Sequence, residues 1–371
     1  PNGASNAGGL AMQTPFGTLY SSNITPDPET GIGNWSYPAF ERAMRDGTSR
    51  DGKHLYPAFP YTAFRNIEDA DMQALYAYLM SQAPVKQLQP ANDMRFPFNV
   101  RPLMAGWNAL YLRKGEVQTQ PQQSAQWNRG QYLVNGLGHC AACHSPRDLL
   151  GAEKGGTSFL AGGMVDGWEA PALNSLSKAP TPWTQDQLFN YLSSGYSDAH
   201  GVAAGPMGPV VSELAKLPKS DVRAIAVYLA ALNEPASGSA DVGPATATRL
   251  AEKSSVPPQS LSNGQRVFEG SCQGCHADGL GPKLFGVSPS LATNTNVHSA
   301  LPDNLIKVIQ QGIDKPATAD LGYMPGFKDS LSDTQISDLA AYLRNRFAPN
   351  EPQWAGLPEK VAHLRANPGT H

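Results

Sequence analysis

Four cysteines and two histidines carry the most specific chemistry in this sequence. The cysteines occur only as Cys140-x-x-Cys143 and Cys272-x-x-Cys275, and a histidine follows each pair at once, His144 and His276. Two thiols at that spacing can capture both vinyl groups of a haem from one side, and the adjacent imidazole can ligate its iron. Zinc held by two Cys-x-x-Cys pairs and a dithiol redox motif also account for the cysteines. Neither needs a histidine directly after each pair, twice. The reading is therefore covalent haem c at two sites, with Cys140, Cys143, Cys272 and Cys275 as thioether attachments and His144 and His276 as proximal iron ligands.

A sixth ligand follows from a register. Three glycines, Gly47, Gly195 and Gly312, end short helical stretches as left-handed caps would. Twelve residues beyond them stand Phe59, Met207 and Met324, each beside a proline: Phe59-Pro60, Pro206-Met207 and Met324-Pro325. A thioether opposite histidine favours the ferrous state and raises the potential, so Met207 and Met324 are the candidate distal ligands. The alternative for each is a packed loop methionine. Met12, Met44, Met72, Met80 and Met164 lack the register and read as packing. Pro171-Ala172-Leu173 and Pro289-Ser290-Leu291 recur downstream of the motifs. A carbonyl at Pro171 or Pro289 would accept the proximal imidazole's other proton, against the alternative of a simple repeated turn. Arg147 reads as a solvated arginine rather than a propionate partner, and Trp35, Tyr61 and Trp168 as wall or core residues.

These residues need elements to hold them, and the elements repeat. Residues 71–79 (DMQALYAYL), 221–229 (DVRAIAVYL) and 335–343 (QISDLAAYL) are amphipathic at helical spacing. Opening helices at 127–137 and 261–270 lead into the two haem motifs, and each carries a glycine, Gly130 or Gly264, where two helices can cross closely. The expected fold is mainly α, a tandem repeat of three cytochrome c-like domains with long ordered loops. Its boundaries are a first domain at 1–98, an irregular connector at 99–121 within the Gln- and Pro-containing stretch 91–121, a second, haem-bearing domain at 122–236, an Ala/Ser/Pro-rich linker at 237–258, a third, haem-bearing domain at 259–350 and a polar tail at 351–371. The first copy shows no haem motif. Ala7-Gly8-Gly9 matches Ala161-Gly162-Gly163, which lies 17 residues after His144, so the corresponding histidine and a third haem would fall about ten residues upstream of Pro1.

Composition limits the alternatives. A chain of 371 residues fits two or three domains of roughly 100 residues each. Net charge of −3 with 16% charged residues leaves no basic field for nucleic acid. The 36 glycines and 32 prolines suit short helices joined by ordered loops and argue against a plain helical bundle. No window reaches the roughly 18 continuous apolar residues of a membrane span, and residue 1 does not begin a signal peptide, so the chain reads as mature or shortened. Haem is attached to such motifs outside the cytoplasm. The expected place is the periplasmic side of a bacterial inner membrane, with peripheral attachment.

The stretches TPFGTLYSSNITPDPETGIGNWS (14–36) and HLYPAFPY (54–61), the two haem motifs and MPGF (324–327) resemble the three-haem cytochrome c subunits of bacterial membrane-associated dehydrogenases. The resemblance implies an electron-transfer subunit with no catalysis of its own. It would take electrons from a catalytic partner of molybdenum, PQQ or flavin type and pass them to ubiquinone or a terminal oxidase. It also implies the same cysteine, histidine and methionine roles. The chain departs from the pattern in the absent first motif and in Phe59 at the first methionine position, which looks more like the cytochromes accompanying molybdenum hydroxylase-type aldehyde dehydrogenases. The alternative from another class is a haem enzyme such as a di-haem peroxidase, which needs a displaceable distal position that a methionine at both sites would fill.

Overall fold

The computed structural model describes residues 3–112, 117–233, 262–276, 290–314, 316–318 and 321–367. Among these the chain is mainly α, with fifteen α-helices and seven short strands. It divides into two compact units. The first comprises Pro1–Gln120, Tyr132–Ala142 and Asp148–Ala152, the second Pro121–Gln131, Cys143–Arg147 and Glu153–His371.

In the first unit, β1 (Ala11–Thr14) and β2 (Gly17–Tyr20) form an antiparallel hairpin, and β3 (Asp93–Met94) joins the edge of β2. Gly17 has φ +130°, and a Cβ there would lie 2.3 Å from the Asp93 carbonyl oxygen, so only glycine permits this join. Helix α1 (Tyr37–Asp46) buries Phe40, Ala43 and Met44, the i, i+3, i+4 face, and stops at Gly47 in the left-handed conformation (φ 60°, ψ 35°). The short α2 (Tyr61–Phe64) and the longer α3 (Asp69–Met80) follow, and Ile32, Phe40, Met44, Ile67, Met72 and Leu79 form one core.

The connector expected to be irregular contains a nine-residue helix, α4 (Leu103–Tyr111). Met104, Trp107 and Tyr111 stand at i, i+3 and i+7. Trp107 is buried against Tyr61, and its indole N–H donates to the Leu150 carbonyl at 3.0 Å. Prolines around this stripe obscure its helical period.

Two helix crossings organise the second unit. Helix α5 (Ala125–Asn135) leads into the one-turn α6 (Ala141–His144). After α7 (Gln185–Ser194) and α8 (Met207–Leu214) comes α9 (Lys219–Asn233), which lies across α5 at Gly130. A Cβ on Gly130 would meet the Ala224 carbonyl oxygen at 2.0 Å and Tyr228 Cβ at 2.7 Å. The same contact recurs downstream. Helix α10 (Asn263–Ser271) runs into the one-turn α11 (Gln273–His276). Beyond α12 (Thr295–His298) and α13 (Asp303–Gln311), helix α14 (Asp333–Phe347) lies across α10. A Cβ on Gly264 would meet Asp338 O at 2.1 Å and Tyr342 Cβ at 2.7 Å. In both cases the partners are i, i+4 neighbours on the later helix. Arg129 adds a two-bond ion pair to Asp221, both contacts 3.0 Å, across the first crossing.

The stretch beyond 350 is more than a polar tail. Helix α15 (Leu357–Ala366) buries Leu357, Val361 and Leu364 in the same core as Phe268, Ile306 and Leu339. Gln310 donates to its Val361 carbonyl at 3.1 Å. Two short hairpins complete the unit: β4 (Gly163–Val165) with β5 (Trp168–Ala170), and β6 (Tyr196–Ser197) with β7 (Gly201–Val202).

Two alanine substitutions on one helix test the crossing. Gly264→Ala, forced against the Asp338 carbonyl, is expected to destabilise the protein by about 1–3 kcal/mol or more. Gly270→Ala, with nothing within 4 Å of its new Cβ, is expected to be neutral or to gain up to about 1 kcal/mol in helix propensity. Denaturant unfolding of the two variants measures both. Equal stabilities would refute the close crossing.

Candidate haem sites

The first motif is set by how α5 ends. Gly136, Gly138 and Cys140 donate backbone N–H groups to Tyr132, Leu133 and Val134, which turns the chain sharply through His139 (φ 36°) before α6 begins. One helical turn then carries Cys143 and His144. His144 Nδ1 lies 2.7 Å from the Pro171 carbonyl oxygen. That contact makes Nδ1 the donor and leaves Nε2 the nitrogen that carries the lone pair. Burial lowers the imidazole's pKa, and the Pro171 bond opposes the shift.

A backbone shelf supports the turn. Gly162 donates to the His144 carbonyl at 2.7 Å, and Leu160 N–H donates to Ser145 Oγ at 2.8 Å. A Cβ on Gly163 would lie 2.5 Å from the Cys143 carbonyl oxygen. The Ala161-Gly162-Gly163 stretch thus has a physical reason: any larger residue would push the haem motif away. Its sequence match, Ala7-Gly8-Gly9, is built alike. Ala7 is fully buried, Gly8 has φ +79° and lies against the Ser21 carbonyl, and an antiparallel hairpin follows.

The second motif follows its helix directly, with Cys272 as the single residue between α10 and the one-turn α11. Cys272 donates to Phe268 at 2.9 Å, and Cys275 and His276 donate to the Cys272 carbonyl at 3.1 and 3.0 Å. The expected acceptor at Pro289 lies outside the described residues.

Met207 opens α8, half-buried, and packs with Tyr191 against Ala203, Val211 and Ala317. Met324 is held by its backbone, exchanging bonds with Ile313 at 2.8 and 3.0 Å. Gly195 is a left-handed cap as expected, whereas Gly312 has φ 72° but ψ −166° and passes under Met324, where a Cβ would lie 2.3 Å from the Met324 carbonyl oxygen. The loops between cap and twelfth residue also differ. Gly47 O accepts from Leu55 N and Gly195 O from Ala203 N, both eight residues on, while the residue after Gly312 pairs with Met324 itself. Phe59 is half-buried, edge-on to Phe64 at 5.3 Å, and Phe64 is edge-on to His139 at 5.5 Å. Met164 is 52% exposed on β4, so it does not pack as expected. Tyr61 and Trp168 are buried, and Arg147 faces Glu153 at 3.8 Å.

The chemistry of the donors fits a covalently tethered haem. Burial pushes the Cys143 thiol up and the Cys272 thiol up to about 11, away from the low values of a redox-active dithiol. Among the described residues no group of three or more His, Cys, Asp or Glu is arranged to hold a metal ion.

Comparison with known proteins agrees. The profile of a family described as cytochrome c oxidase, cbb3-type, subunit III matches residues 259–343. The chain is 72% identical over 370 residues to one of the subunits of the nicotinate dehydrogenase of Pseudomonas putida, a match that takes in 100% of this chain and 30% of that protein. It is 35% identical over 361 residues to the fructose dehydrogenase cytochrome subunit of Gluconobacter japonicus, covering 92% of this chain and 74% of the relative. It is 37% identical over 370 residues to the cytochrome c subunit of the quinone alcohol dehydrogenase of Gluconacetobacter polyoxogenes, covering 95% and 77%. The chain belongs to the family of cytochrome c subunits of dehydrogenases. It is a haem electron-transfer subunit rather than a catalytic one, and these relatives lend no support to the peroxidase alternative. The described residues include no helix long and apolar enough to cross a membrane.

The segment that carries much of the resemblance, Asn23-Ile24-Thr25-Pro26-Asp27, is a buried polar knot. Asn23 Oδ1 accepts from Thr25 N–H and hydroxyl, at 3.0 and 2.7 Å, while its Nδ2 donates to Thr30 Oγ1 and the Val85 carbonyl, at 3.0 and 2.7 Å. Asp27 Oδ1 accepts three bonds, from Glu29 N, Thr30 N and Thr30 Oγ1, and the Thr30 amide leads in lowering its pKa. Because the folded value is depressed, Asp27's contribution is present above its unfolded value of 3.8 and lost as pH falls through the folded one. Asn23→Ala leaves buried donors and acceptors unmatched and is expected to cost about 1–3 kcal/mol. Thermal or denaturant unfolding checks it, and a change under about 0.5 kcal/mol would show the knot to be incidental.

Proposed function

We propose that the chain carries haem c at two sites, Cys140/Cys143/His144 with Met207 and Cys272/Cys275/His276 with Met324, and relays electrons within a dehydrogenase complex. The observation that carries this reading is the 2.7 Å bond from His144 Nδ1 to the Pro171 carbonyl, since a ligating imidazole needs its second nitrogen fixed in this way. The bound haem supplies a one-electron ferric/ferrous couple. The protein's own groups do the rest. Paired thiols tether the ring so that it cannot dissociate, and the shelf at Gly162 and Gly163 sets the proximal histidine. A methionine at the sixth position keeps the iron closed to small ligands.

On the same reading the fold is a tandem of three cytochrome c-like domains, at 1–98, 122–236 and 259–350. The repeated glycine crossings at Gly130 and Gly264 and the two matching Ala-Gly-Gly hairpins support the repeat. A third haem would belong to the first copy. The catalytic partner is of the kind named in the relatives, a nicotinate, alcohol or sugar dehydrogenase, and the resemblance at the Phe59 position favours a molybdenum-type hydroxylase. Ubiquinone or a terminal oxidase is the acceptor, at the periplasmic face of the inner membrane and peripherally held.

Intact mass with a pyridine haemochrome assay tests the sites. The expected result is two covalent haems on these 371 residues. Met207→Ala and Met324→Ala are each expected to retain covalent haem yet bind carbon monoxide at one site when reduced. A haem-free polypeptide, or methionine variants that stay closed to carbon monoxide, would overturn the assignment.

A further inference from the structure

The β4–β5 hairpin, which follows the first haem motif, is joined to α13, which precedes Met324. Asn304 on α13 replaces a strand neighbour: its Oδ1 accepts from Glu169 N–H at 2.9 Å and its Nδ2 donates to the Glu169 carbonyl at 2.8 Å. Ser299 Oγ donates to the Glu169 carboxylate. One turn along the same face of α13 stands Lys307, 1% exposed. Its Nζ lies 3.4 Å from the Asp166 carbonyl oxygen and 5.0 Å from the centroid of the Trp168 ring. Trp168 is itself buried, and its ring packs on Gly205, where a Cβ would meet it at 2.8 Å. Gly205 is two residues before Met207. The Lys307 ammonium and the loop that presents Met207 thus both approach the Trp168 ring.

A buried ammonium brings three donors and a charge. Here a distant carbonyl and an aromatic face receive it. Burial lowers the Lys307 pKa, Asp303 and then Asp166 oppose the shift, and Asp303 Oδ1 already takes Lys360 Nζ at 3.1 Å. The apolar residues of α13, Leu305, Ile306 and Ile309, lie in a different core, shared with α14 and α15. Lys307 therefore directs its charge out of its own copy and towards the neighbouring one. A fixed cation beside a redox centre favours the state with the extra electron.

We propose that Lys307 is a positioning and tuning residue that the third copy lends to the second: its charge, held near the Trp168 ring that also packs on the Met207 loop, keeps the Cys140/Cys143/His144 site at a raised reduction potential. This rests on the haem reading above. It makes the potential of one site depend on the other copy being in place.

The test is a redox titration of the haem-loaded full chain carrying Lys307→Met, Lys307→Gln or Lys307→Arg. Haem per polypeptide is measured alongside, and Met207→His identifies which wave belongs to that site. Lys307→Gln keeps a polar donor at this position without the charge. Both neutral variants are expected to lower the reduced-to-oxidised ratio of the Met207 wave by up to about tenfold at fixed applied potential, about 59 mV for one electron. The other wave moves less, and Lys307→Arg restores most of the shift. An unmoved Met207 wave on a fully loaded neutral variant, or equal shifts of both waves, overturns this proposal alone. Absence of haem from the wild-type chain overturns it together with the haem reading.

Discussion

The bond between His144 Nδ1 and the Pro171 carbonyl is short and simple, and much of the second unit is arranged so that it can form. Pro171 directly follows β5, so its carbonyl is only as well placed as the β4–β5 hairpin. The hairpin is in turn seated by Gly162 and Gly163 against the backbone of the haem motif, at an approach no side chain would allow. On its other edge Asn304 takes up the Glu169 backbone groups. An imidazole fixed by such a chain of backbone contacts keeps its tautomer and plane without relying on any one side chain, which suits the proposed role of holding an iron whose charge would change while its ligand stays in place.

The parts of this design that were legible in the sequence are those in which residue type is forced. Cys-x-x-Cys-His leaves few alternatives, and the close-crossing glycines Gly130 and Gly264 stood out because a helix interior otherwise avoids glycine. The Pro171 acceptor was readable through its recurrence. What escaped was structure made by context. Helix α4 hides between prolines, and α15 buries three apolar residues within a stretch that is polar on average. Lys307 and Asn304 give no signal at all, because an amphipathic helix is expected to carry polar residues on the side away from its own core. Only the arrival of the β4–β5 hairpin on that side turns them from solvated to buried.

The twelve-residue spacing shows the difference between a constraint on endpoints and one on paths. At Gly47 and Gly195 the glycine carbonyl accepts from the residue eight positions on, and the chain then continues to Phe59 or Met207. At Gly312 the glycine has an extended ψ and its successor pairs directly with Met324. Both routes end at a proline-flanked residue at the same count. A cofactor would impose that outcome, since it fixes where the helix must stop and where the sulfur must stand, and leaves the loop between them free.

The first copy separates these layers further. It keeps the shelf of Ala7, Gly8 and Gly9, the hairpin and the left-handed cap at Gly47, all features that serve the backbone. At the one position where a donor atom is required, it has Phe59, packed against Phe64. Its loop is also bonded to itself, with Asn23, Thr25, Asp27 and Thr30 satisfying one another and gripping Val85. A segment whose buried polar groups are matched internally holds its shape without help from a ligand. In this copy the scaffold stands on its own hydrogen bonds, whereas in the second the same shelf is braced against a haem motif.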